Sequence, residues 1–336
     1  MEYPSLDNPT AGAFRFNTDS SQLEIYDGNQ WTGVLSSSPE LRTGGGRGLS
    51  AGGNTPGQTD VIEYITIPTT GNSIDFGNLT SARQAIPGGT GSSTRGVIGG
   101  GQEHPATVDK IDFITFASTG NASDFGDLTV GRQQPGTTGS QTRGIFSGGE
   151  APSHTNHIDY ITIAATGNAV DFGDLSVARR IASAASSPTR SLIMGGYASP
   201  ASLNSIEFVT IATLGNGADF GDLSSARYSN AGASSSTRAV VMGGYATSPG
   251  SSLNTIDYVT IATLGNAVDF GDLTEVIYHP QTASDSIRAV RMGGVTPNDT
   301  TIDFITIPTT GNAHDFGELL STHKEGAGLS NAHGGL

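Results

Sequence analysis

The nine residues Gly167-Asn168-Ala169-Val170-Asp171-Phe172-Gly173-Asp174-Leu175 decide the fold, because close copies of them recur along most of the chain. Their central tripeptide, Asp-Phe-Gly, occurs six times, at successive spacings of 49, 47, 48, 50 and 46 residues. Such a regular period is typical of repeat architectures and has to be interpreted before any single motif. The copies begin at Asp75, Asp124, Asp171, Asp219, Asp269 and Asp315.

Around each copy the sequence predicts four short strands. In one unit, a strand at 189–196 ends in a Gly pair, and a β-branched and aromatic strand follows at 205–211. The tripeptide strand at 218–223 and a small-residue strand at 229–234 complete the period. The second of these strands is apolar at odd and even positions, so its sheet should be covered on both faces. These features predict an all-β protein built from four-stranded antiparallel propeller blades.

The ends of the repeat region predict how the ring closes. The strand with the Gly pair begins six times, whereas the small-residue strand occurs only five times between the copies. The segment 326–331 aligns with 182–187 and should pair with 47–53, which closes a six-bladed ring over residues 47–336 and removes an exposed sheet edge. A seven-bladed ring, with 14–34 as the extra blade, is the alternative.

Residues 1–46 lie outside the repeat and predict a small β-hairpin module with a linker. Two alternating runs, 13–17 and 22–26, flank a turn, and a third short strand is predicted at 30–34. So short a hairpin buries too little apolar area to stand alone, which favours docking on another surface. The residues that would dock are Phe14, Phe16, Tyr26 and Trp31.

Composition excludes several function classes. The formal net charge is −15, and Lys occurs only at Lys110 and Lys324, which argues against nucleic-acid binding. The chain has no Cys, so thiolate chemistry and disulfides are excluded. No apolar run approaches the roughly 18 residues that span a bilayer, and the first residues lack the pattern of a signal peptide. Membrane insertion is therefore not expected.

Asp-Phe-Gly also occurs in protein kinases, but six copies without a Gly-rich phosphate loop or a His-Arg-Asp loop exclude that interpretation. A structural role is predicted instead. The Asp should cap a turn, the Phe should fill the space between blades, and the Gly should allow a close approach or a positive φ. The Phe residues concerned are Phe76, Phe125, Phe172, Phe220, Phe270 and Phe316.

Arginine is equally periodic. Six of the fourteen arginines begin the strand with the Gly pair, and four more, Arg83, Arg132, Arg179 and Arg227, occupy a second repeated position. Periodic Arg beside periodic Asp predicts ion pairs and hydrogen bonds within the ring. At the second position Ile277 replaces Arg in the fifth unit and His323 replaces it in the sixth.

No residue pattern predicts catalysis, a cofactor or a metal site. No nucleophile with a matching base is found among the asymmetric residues, so a non-enzymatic protein is expected. His154 and His157 have a spacing that could ligate a metal, but no acidic or His partner accompanies them, and exposed loop histidines are favoured.

The loops after each Gly pair differ in length and content, whereas the Gly-Asn turns do not. In a meander blade these connections lie on opposite faces, so one face should be uniform and the other diverse. Binding residues are usually placed on such loops, although drift in unconstrained loops explains the diversity as well. The candidate ligand residues are His104, His154, His157, Tyr197 and Tyr245.

The repeat resembles the kelch repeat of β-propellers. The resemblance is carried by Gly195-Gly196, by the strand Ile206-Glu207-Phe208 and by Ala226-Arg227 over six copies. It departs from the kelch pattern at Phe220, where kelch repeats usually have Trp.

The segments 12–17 and 23–31 look like a short module near the ends of virion proteins of tailed phages. The tandem units, such as Gly167 to Leu175, are similar to repeats in structural proteins of marine phages, particularly those of cyanobacteria. This resemblance implies a tail-fibre or decoration protein on the particle surface. Its expected partners are other virion proteins through residues 1–46, a host-surface glycan or protein, and further copies of itself.

Two functions follow as hypotheses. The first is a non-enzymatic virion protein that docks through residues 1–46 and displays its variable face for host attachment. The alternative is a carbohydrate-active propeller, either a lectin or a glycan hydrolase.

Overall fold

The chain folds as an all-β protein in a computed structural model that describes residues 9–17, 22–33, 46–54, 56–86, 88–295 and 299–336. It divides into two units, Met1–Thr43 and Gly44–Leu336. In the described part of the first unit, three antiparallel strands form one sheet. These strands are Phe14–Asn17, Gln22–Tyr26 and Trp31–Gly33.

The second unit is a six-bladed β-propeller of four-stranded antiparallel blades, as the repeat predicts. Blades 2 to 6 take their four strands in chain order, from the axis outward. The strands of blade 2 are Gly89–Gly91, Arg95–Gly99, Lys110–Thr115 and Ser123–Asp127, and those of blade 3 are Gly136–Gly139, Arg143–Ser147, His157–Thr162 and Val170–Asp174. Those of blade 4 are Ser183–Ser186, Arg190–Met194, Ser205–Thr210 and Ala218–Asp222. Those of blade 5 are Ala231–Ser234, Arg238–Met242, Ser251–Thr260 and Val268–Ile277, and those of blade 6 are Gln281–Ser284, Arg288–Gly294, Asp299–Thr306 and His314–Glu318.

Blade 1 joins the two ends of the repeat region. Its inner strand is the C-terminal strand Ala327–Ser330, and its other strands are Arg47–Asn54, Gln58–Thr66 and Ile74–Asn78. Ala327 lies opposite Ala51, and Ser330 lies opposite Gly48. The predicted closure by 326–331 is thus confirmed. The seven-bladed alternative is wrong, because blade 6 bonds directly to blade 1, as in the hydrogen bond from the N–H of Gly71 to the carbonyl oxygen of Phe316, and this contact closes the ring at six blades.

Short hairpins lie within some of the loops that connect the second and third strands of a blade. They consist of Gln102–Glu103 with Ala106–Thr107, and of Tyr197–Ala198 with Ala201–Ser202. In blade 5, Tyr245–Ala246 pairs with the start of the third strand. These hairpins make the loops of one face differ from blade to blade.

The core lies between neighbouring blades. Phe172 is 2% exposed and packs with Ile158 of blade 3 and with Ile193 and Val209 of blade 4. The Phe of each Asp-Phe-Gly also packs edge to face against the aromatic residue on the third strand of its own blade, with ring centroids 5.9 to 6.2 Å apart. The predicted packing role of the Phe is therefore confirmed.

The Gly of the tripeptide allows each blade to touch the next. Gly126 has φ +143°, and a Cβ there would lie 2.5 Å from the carbonyl oxygen of Gly167. The Asp does not act as the predicted cap, because all six Asp side chains are exposed and none hydrogen-bonds to a described residue. The Asn of the Gly-Asn turn caps instead, as Asn168 does by accepting from the N–H of Asp127.

Replacing Gly126 by Ala should lower the free energy of unfolding by about 1–3 kcal/mol, because the new Cβ meets a backbone oxygen at a positive φ. Urea unfolding measures the change. Gly57→Ala is the matched control, since a methyl group at position 57 would have no atom within 4 Å, and it should shift stability by less than about 0.5 kcal/mol. Equal effects of the two variants would contradict the contact.

The second periodic Arg of one blade forms a buried ion pair with an acidic residue on the third strand of the next blade. Arg132 and Asp159, for example, are 3.0 Å apart, and both side chains are fully buried. The predicted ion pairs are thus confirmed. Their acidic partners belong to the third strand and not to Asp-Phe-Gly. The other pairs of this kind are Arg83–Asp112, Arg179–Glu207 and Arg227–Asp257.

Two units lack this Arg, and in each of them another residue pairs with the buried acidic side chain. In blade 6 the cation comes from the second strand, where Arg291 Nη2 lies 2.5 Å from Asp303 Oδ2. At the closing seam His323 Nε2 lies 3.1 Å from Glu63 Oε1. Burial raises the pKa of Glu63, but hydrogen bonds from His323 and Ser73 outweigh it, and the pKa lies below its usual range. Glu63 is therefore held as a carboxylate.

Candidate functional site

One face of the propeller, the uniform face, repeats the same contact six times. The side-chain oxygen of each turn Asn accepts a hydrogen bond from a backbone N–H at the end of the preceding blade's outer strand, as between Asn168 and Asp127. The six distances fall between 3.0 and 3.2 Å. This face fastens the blades together and offers little that differs from blade to blade.

The opposite face, the variable face, differs strongly between blades. Two positions per blade meet there through isolated backbone bridges, as Tyr228 and Tyr245 do. One position follows the second periodic Arg, and the other follows the Gly pair. Because the scaffold is the same in every blade, the side chains at these positions set the chemistry of the face.

Four tyrosines occupy such positions on one half of the variable face, and together with a histidine at each end they form the tyrosine arc. The arc begins at His154 and ends at His279, and its rings are half-buried. Neighbouring ring centroids are 5.6, 5.2, 5.6, 5.8 and 5.2 Å apart, with planes tilted by 51° to 77°. Its members in order are His154, Tyr197, Tyr228, Tyr245, Tyr278 and His279.

The phenol oxygens of the tyrosine arc are available to a ligand. None of the four donates or accepts a hydrogen bond within the part of the chain that the structure describes, and none is buried. The rings pack against one another, so the arc is an apolar ridge that carries a row of free hydroxyl groups. Tyr and Trp combine an apolar body with a polar tip in this way at many binding surfaces.

Amide side chains occupy the other half of the face. Asn54 Nδ2 donates to Gln84 Oε1 at 2.6 Å, and Gln84 Nε2 donates to Gln102 Oε1 at 3.1 Å. Gln58 Nε2 donates to the carbonyl oxygen of Gln102 at 2.6 Å. We name these four residues the amide arc.

Between the two arcs, six non-glycine residues surround the propeller axis in the left-handed region and form the axial ring. Backbone hydrogen bonds run around it, including Gln134 N–H to Ala85 O at 2.8 Å and His279 N–H to Ser229 O at 2.9 Å. Strained backbone of this kind persists only where its surroundings fix it, and it clusters at functional sites. The ring consists of Ala85, Gln134, Ile181, Ser229, His279 and Glu325, with φ between 53° and 60°.

The axial ring surrounds a small depression, the axial depression, which has room for about one water molecule and which Asn230 also lines. Arg180 stands beside it. One guanidinium nitrogen of Arg180 donates to Gln134 Oε1 at 3.0 Å and to Glu150 Oε2 at 2.8 Å. The Arg180 guanidinium also lies 5.6 Å from the Tyr197 ring, which links the depression to the tyrosine arc.

Two titratable groups meet in the depression, where His279 Nε2 lies 3.8 Å from Glu325 Oε1. Burial, together with Lys324 and Arg180, lowers the pKa of His279 to about 4. Burial raises the pKa of Glu325, although Lys324 and Arg180 act against it. His279 is therefore neutral at physiological pH, and it offers the depression an uncharged imidazole.

This lowered pKa predicts acid sensitivity. The unfolded chain binds a proton at His279 below about pH 6.5, whereas the folded chain does so only near pH 4. Because protonation then favours the unfolded chain, the free energy of unfolding falls as the pH drops from 6.5 towards 4. The raised pKa of Glu325 works in the opposite direction.

Between pH 6.5 and 4.5 the wild type should therefore lose about 2 kcal/mol more unfolding free energy than His279→Gln. Urea unfolding at the two pH values measures the difference. A His104→Gln control, in an exposed loop, should follow the wild type. Parallel curves for the wild type and His279→Gln would show that His279 titrates normally.

The structure brings three of the sequence-predicted ligand residues together, because His154, Tyr197 and Tyr245 belong to the tyrosine arc. His104 lies apart from them, and its backbone N–H donates to Gln58 Oε1 of the amide arc at 3.0 Å. His157 is exposed, and its ring nitrogen lies 3.2 Å from Asp174 Oδ1. No contact joins His157 to the arc among the described residues.

Sequence reasoning missed Tyr228, Tyr278, His279 and Arg180. These residues occupy equivalent places in the repeat. Arg180, Tyr228 and Tyr278 directly follow the second periodic position, and His279 comes one residue later. Comparing that position across the six units would have revealed the asymmetry that a site requires.

The N-terminal module carries its own exposed apolar surface. Phe14 is 63% exposed. Tyr26 and Trp31 lie with ring centroids 5.4 Å apart, and the Arg15 guanidinium covers Trp31 at 4.4 Å. Three of the predicted docking residues are thus placed, whereas the side chain of Phe16 lies outside the described residues.

Within the described ranges, no group of three or more His, Asp and Glu side chains gathers as a metal site. No helix in the same part of the chain is long and apolar enough to cross a membrane.

Comparison with known proteins adds no relative: no protein-family model and no curated protein matches the chain. What is established is therefore a six-bladed β-propeller with one uniform and one variable face, and the resemblances to kelch repeats and to phage virion proteins stay hypotheses.

Proposed function

We propose that the chain is a non-enzymatic structural protein of a tailed-phage virion. It docks on the particle through its N-terminal module and displays the propeller on the particle surface. The variable face then attaches to a component of the host surface. The observation that carries the proposal is the concentration of six aromatic and imidazole rings on one half of one face, while the opposite face repeats itself.

The separation of the N-terminal residues into their own unit supports the docking role. Met1–Thr43 is a compact unit distinct from Gly44–Leu336, and Phe14 offers an exposed aromatic ring to a partner. Large exposed apolar side chains at a small module favour burial against another protein. The partner expected here is another virion protein.

Deletion of residues 1–43 tests the docking role. The truncated chain should keep the cooperative unfolding of the propeller, because the deleted unit is separate. It should no longer be incorporated into particles, as measured by mass spectrometry of purified virions from a host that supplies the variant. Normal incorporation of the truncated chain would overturn the docking role.

A carbohydrate-active propeller is the second candidate, and the tyrosine arc beside the axial depression favours it. Incubation of the purified protein with host-surface polysaccharide separates the possibilities. Retention without cleavage indicates a lectin-like attachment protein, which agrees with the proposal. Release of shorter products would identify a hydrolase and would overturn the non-enzymatic assignment.

A further inference from the structure

We infer that the axial depression and the tyrosine arc form one binding site for an uncharged saccharide chain. A hydroxyl group of the first sugar unit would enter the depression, and the sugar units would lie along the arc. This inference deepens the attachment role proposed above and rests on it. It names the class of ligand and the residues that select it.

The surface chemistry of the tyrosine arc matches that of a saccharide. A saccharide presents apolar C–H patches between hydroxyl groups that both donate and accept hydrogen bonds. The arc presents ring edges between phenol oxygens that have the same two capacities. Its ring spacing of 5.2 to 5.8 Å is close to the length of one sugar unit in a chain. The arc can thus repeat its contacts from one unit to the next.

A buried acceptor without a partner lies in the axial depression. Asn230 lines the depression and is 7% exposed. Its Nδ2 donates to Ser183 Oγ at 3.1 Å, but its Oδ1 has no hydrogen-bond partner among the described residues. A buried acceptor left unpaired is unfavourable. A ligand hydroxyl that enters the depression can donate to this oxygen.

The charges around the site favour a neutral sugar over an acidic one. The cations nearby are balanced, since Arg180 pairs with Glu150 at 2.8 Å, and Lys324 is followed directly by Glu325, whose pKa it acts to lower. His279 is neutral at physiological pH. The whole chain carries a net charge of −15, which repels polyanions.

The size of the depression limits what can enter it. Its free space is about that of one water molecule, so it admits a single hydroxyl group and excludes a sugar ring. The sugar rings must therefore lie along the arc, which reaches the depression at His279.

The test uses the full-length protein and a panel of sugars. The panel contains neutral hexoses, N-acetylhexosamines and their oligomers up to four units, together with the matching uronic acids. Binding is measured by saturation-transfer NMR and by calorimetry. At least one neutral series should bind, its affinity should rise with chain length, and the matching uronic acids should bind more weakly.

The double variant Tyr228→Phe with Tyr245→Phe removes two phenol oxygens and keeps both rings. It should lower the affinity for the neutral oligomer about tenfold, which corresponds to about 1.4 kcal/mol, while the single sugar keeps its affinity. Tyr160→Phe is the matched control, because Phe113 and Phe208 occupy its position in other blades. It should bind like the wild type.

Failure to bind any neutral sugar, tighter binding of the uronic acids, or full affinity of the double variant would overturn the inference. These results are separable from the proposed function. A chain that is incorporated into particles but binds no sugar refutes this inference alone. A chain that binds neutral sugars but is absent from particles refutes the virion role alone.

Discussion

Replacing Arg291 by Val is expected to lower the free energy of unfolding of the propeller by about 3–5 kcal/mol, because it leaves a buried carboxylate without its cation. Arg291 and Asp303 are both fully buried, and their charged atoms are 2.5 Å apart. Val itself suits the site, since Val241 occupies the same strand position in blade 5. The expected loss therefore reports on the charge and not on the fit of the new side chain.

A second substitution makes this prediction specific. Ile277 stands where four other units have the Arg that reaches the next blade. Adding Ile277→Arg to Arg291→Val returns blade 6 to the arrangement of the pair Arg227–Asp257. The double variant should recover a large part of the lost stability, as measured by urea unfolding.

An exposed ion pair supplies the control. Lys110 and Glu103 are 2.7 Å apart but 42% and 31% exposed, so Lys110→Ala should change stability by less than about 1 kcal/mol. Two results would contradict this account: a loss of unfolding free energy for Arg291→Val as small as that for Lys110→Ala, or a further loss when Ile277→Arg is added. Either would show that the position of the cation does not stabilise the contact between blades 5 and 6.

Removal of residues 327–336 is expected to abolish cooperative folding of the propeller. These residues include the inner strand of blade 1, in which Ala327 and Leu329 are buried in the core with Leu49. Without them the strand Arg47–Asn54 loses its inner partner, keeps only its pairing with Gln58–Thr66 and becomes a sheet edge, which favours aggregation. Circular dichroism and size-exclusion chromatography of the truncated chain check this outcome.

A disulfide provides a complementary result that does not depend on loss of folding. The chain has no Cys, so Ala51→Cys with Ala327→Cys introduces a single pair at directly opposed positions. This pair should oxidise completely in the folded protein. Ala51→Cys with Ala233→Cys, in blade 5, should keep free thiols. A folded truncated chain, or an unreactive first pair, would contradict closure by the C-terminal strand.

The sequence predicted the architecture well because the repeat constrains it six times. The spacing of Asp-Phe-Gly, the Gly pairs and the missing small-residue strand together lead to six blades and to closure by 326–331. A single unit would not have been enough. The role of Phe follows from hydrophobicity and period alone, and the structure confirms it in every blade.

Roles that depend on which neighbouring chain segment approaches were harder to predict. The capping residue is Asn168, with its equivalents in the other blades, and not Asp171. The reason is that the side chain of Asn168 bonds to the backbone of the preceding blade and not to its own strand. The compensation of Ile277 by Arg291 is likewise invisible in sequence. Both cases depend on contacts between blades, and the register of one blade on another is set by the closed ring.

The candidate site was predicted only in part. Loop diversity pointed to Tyr197 and Tyr245, because they follow the Gly pairs directly. Tyr228 and Tyr278 come from a different connection, and they join the arc only because the isolated bridges bring the two connections together. The axial ring depends on a left-handed backbone conformation, which the residue types of its members, such as Ile181 and Glu325, do not indicate.

The central claim is that the variable face points outward on the particle and makes the attachment, and labelling of intact particles tests it most directly. Single cysteines can be placed on the variable face by Ser153→Cys and on the uniform face by Leu264→Cys, both at exposed residues of a Cys-free chain. Maleimide should label Ser153→Cys on intact particles and block adsorption to host cells, whereas label on Leu264→Cys should leave adsorption intact. An unreactive Ser153→Cys, or full adsorption after it is labelled, would contradict the claim.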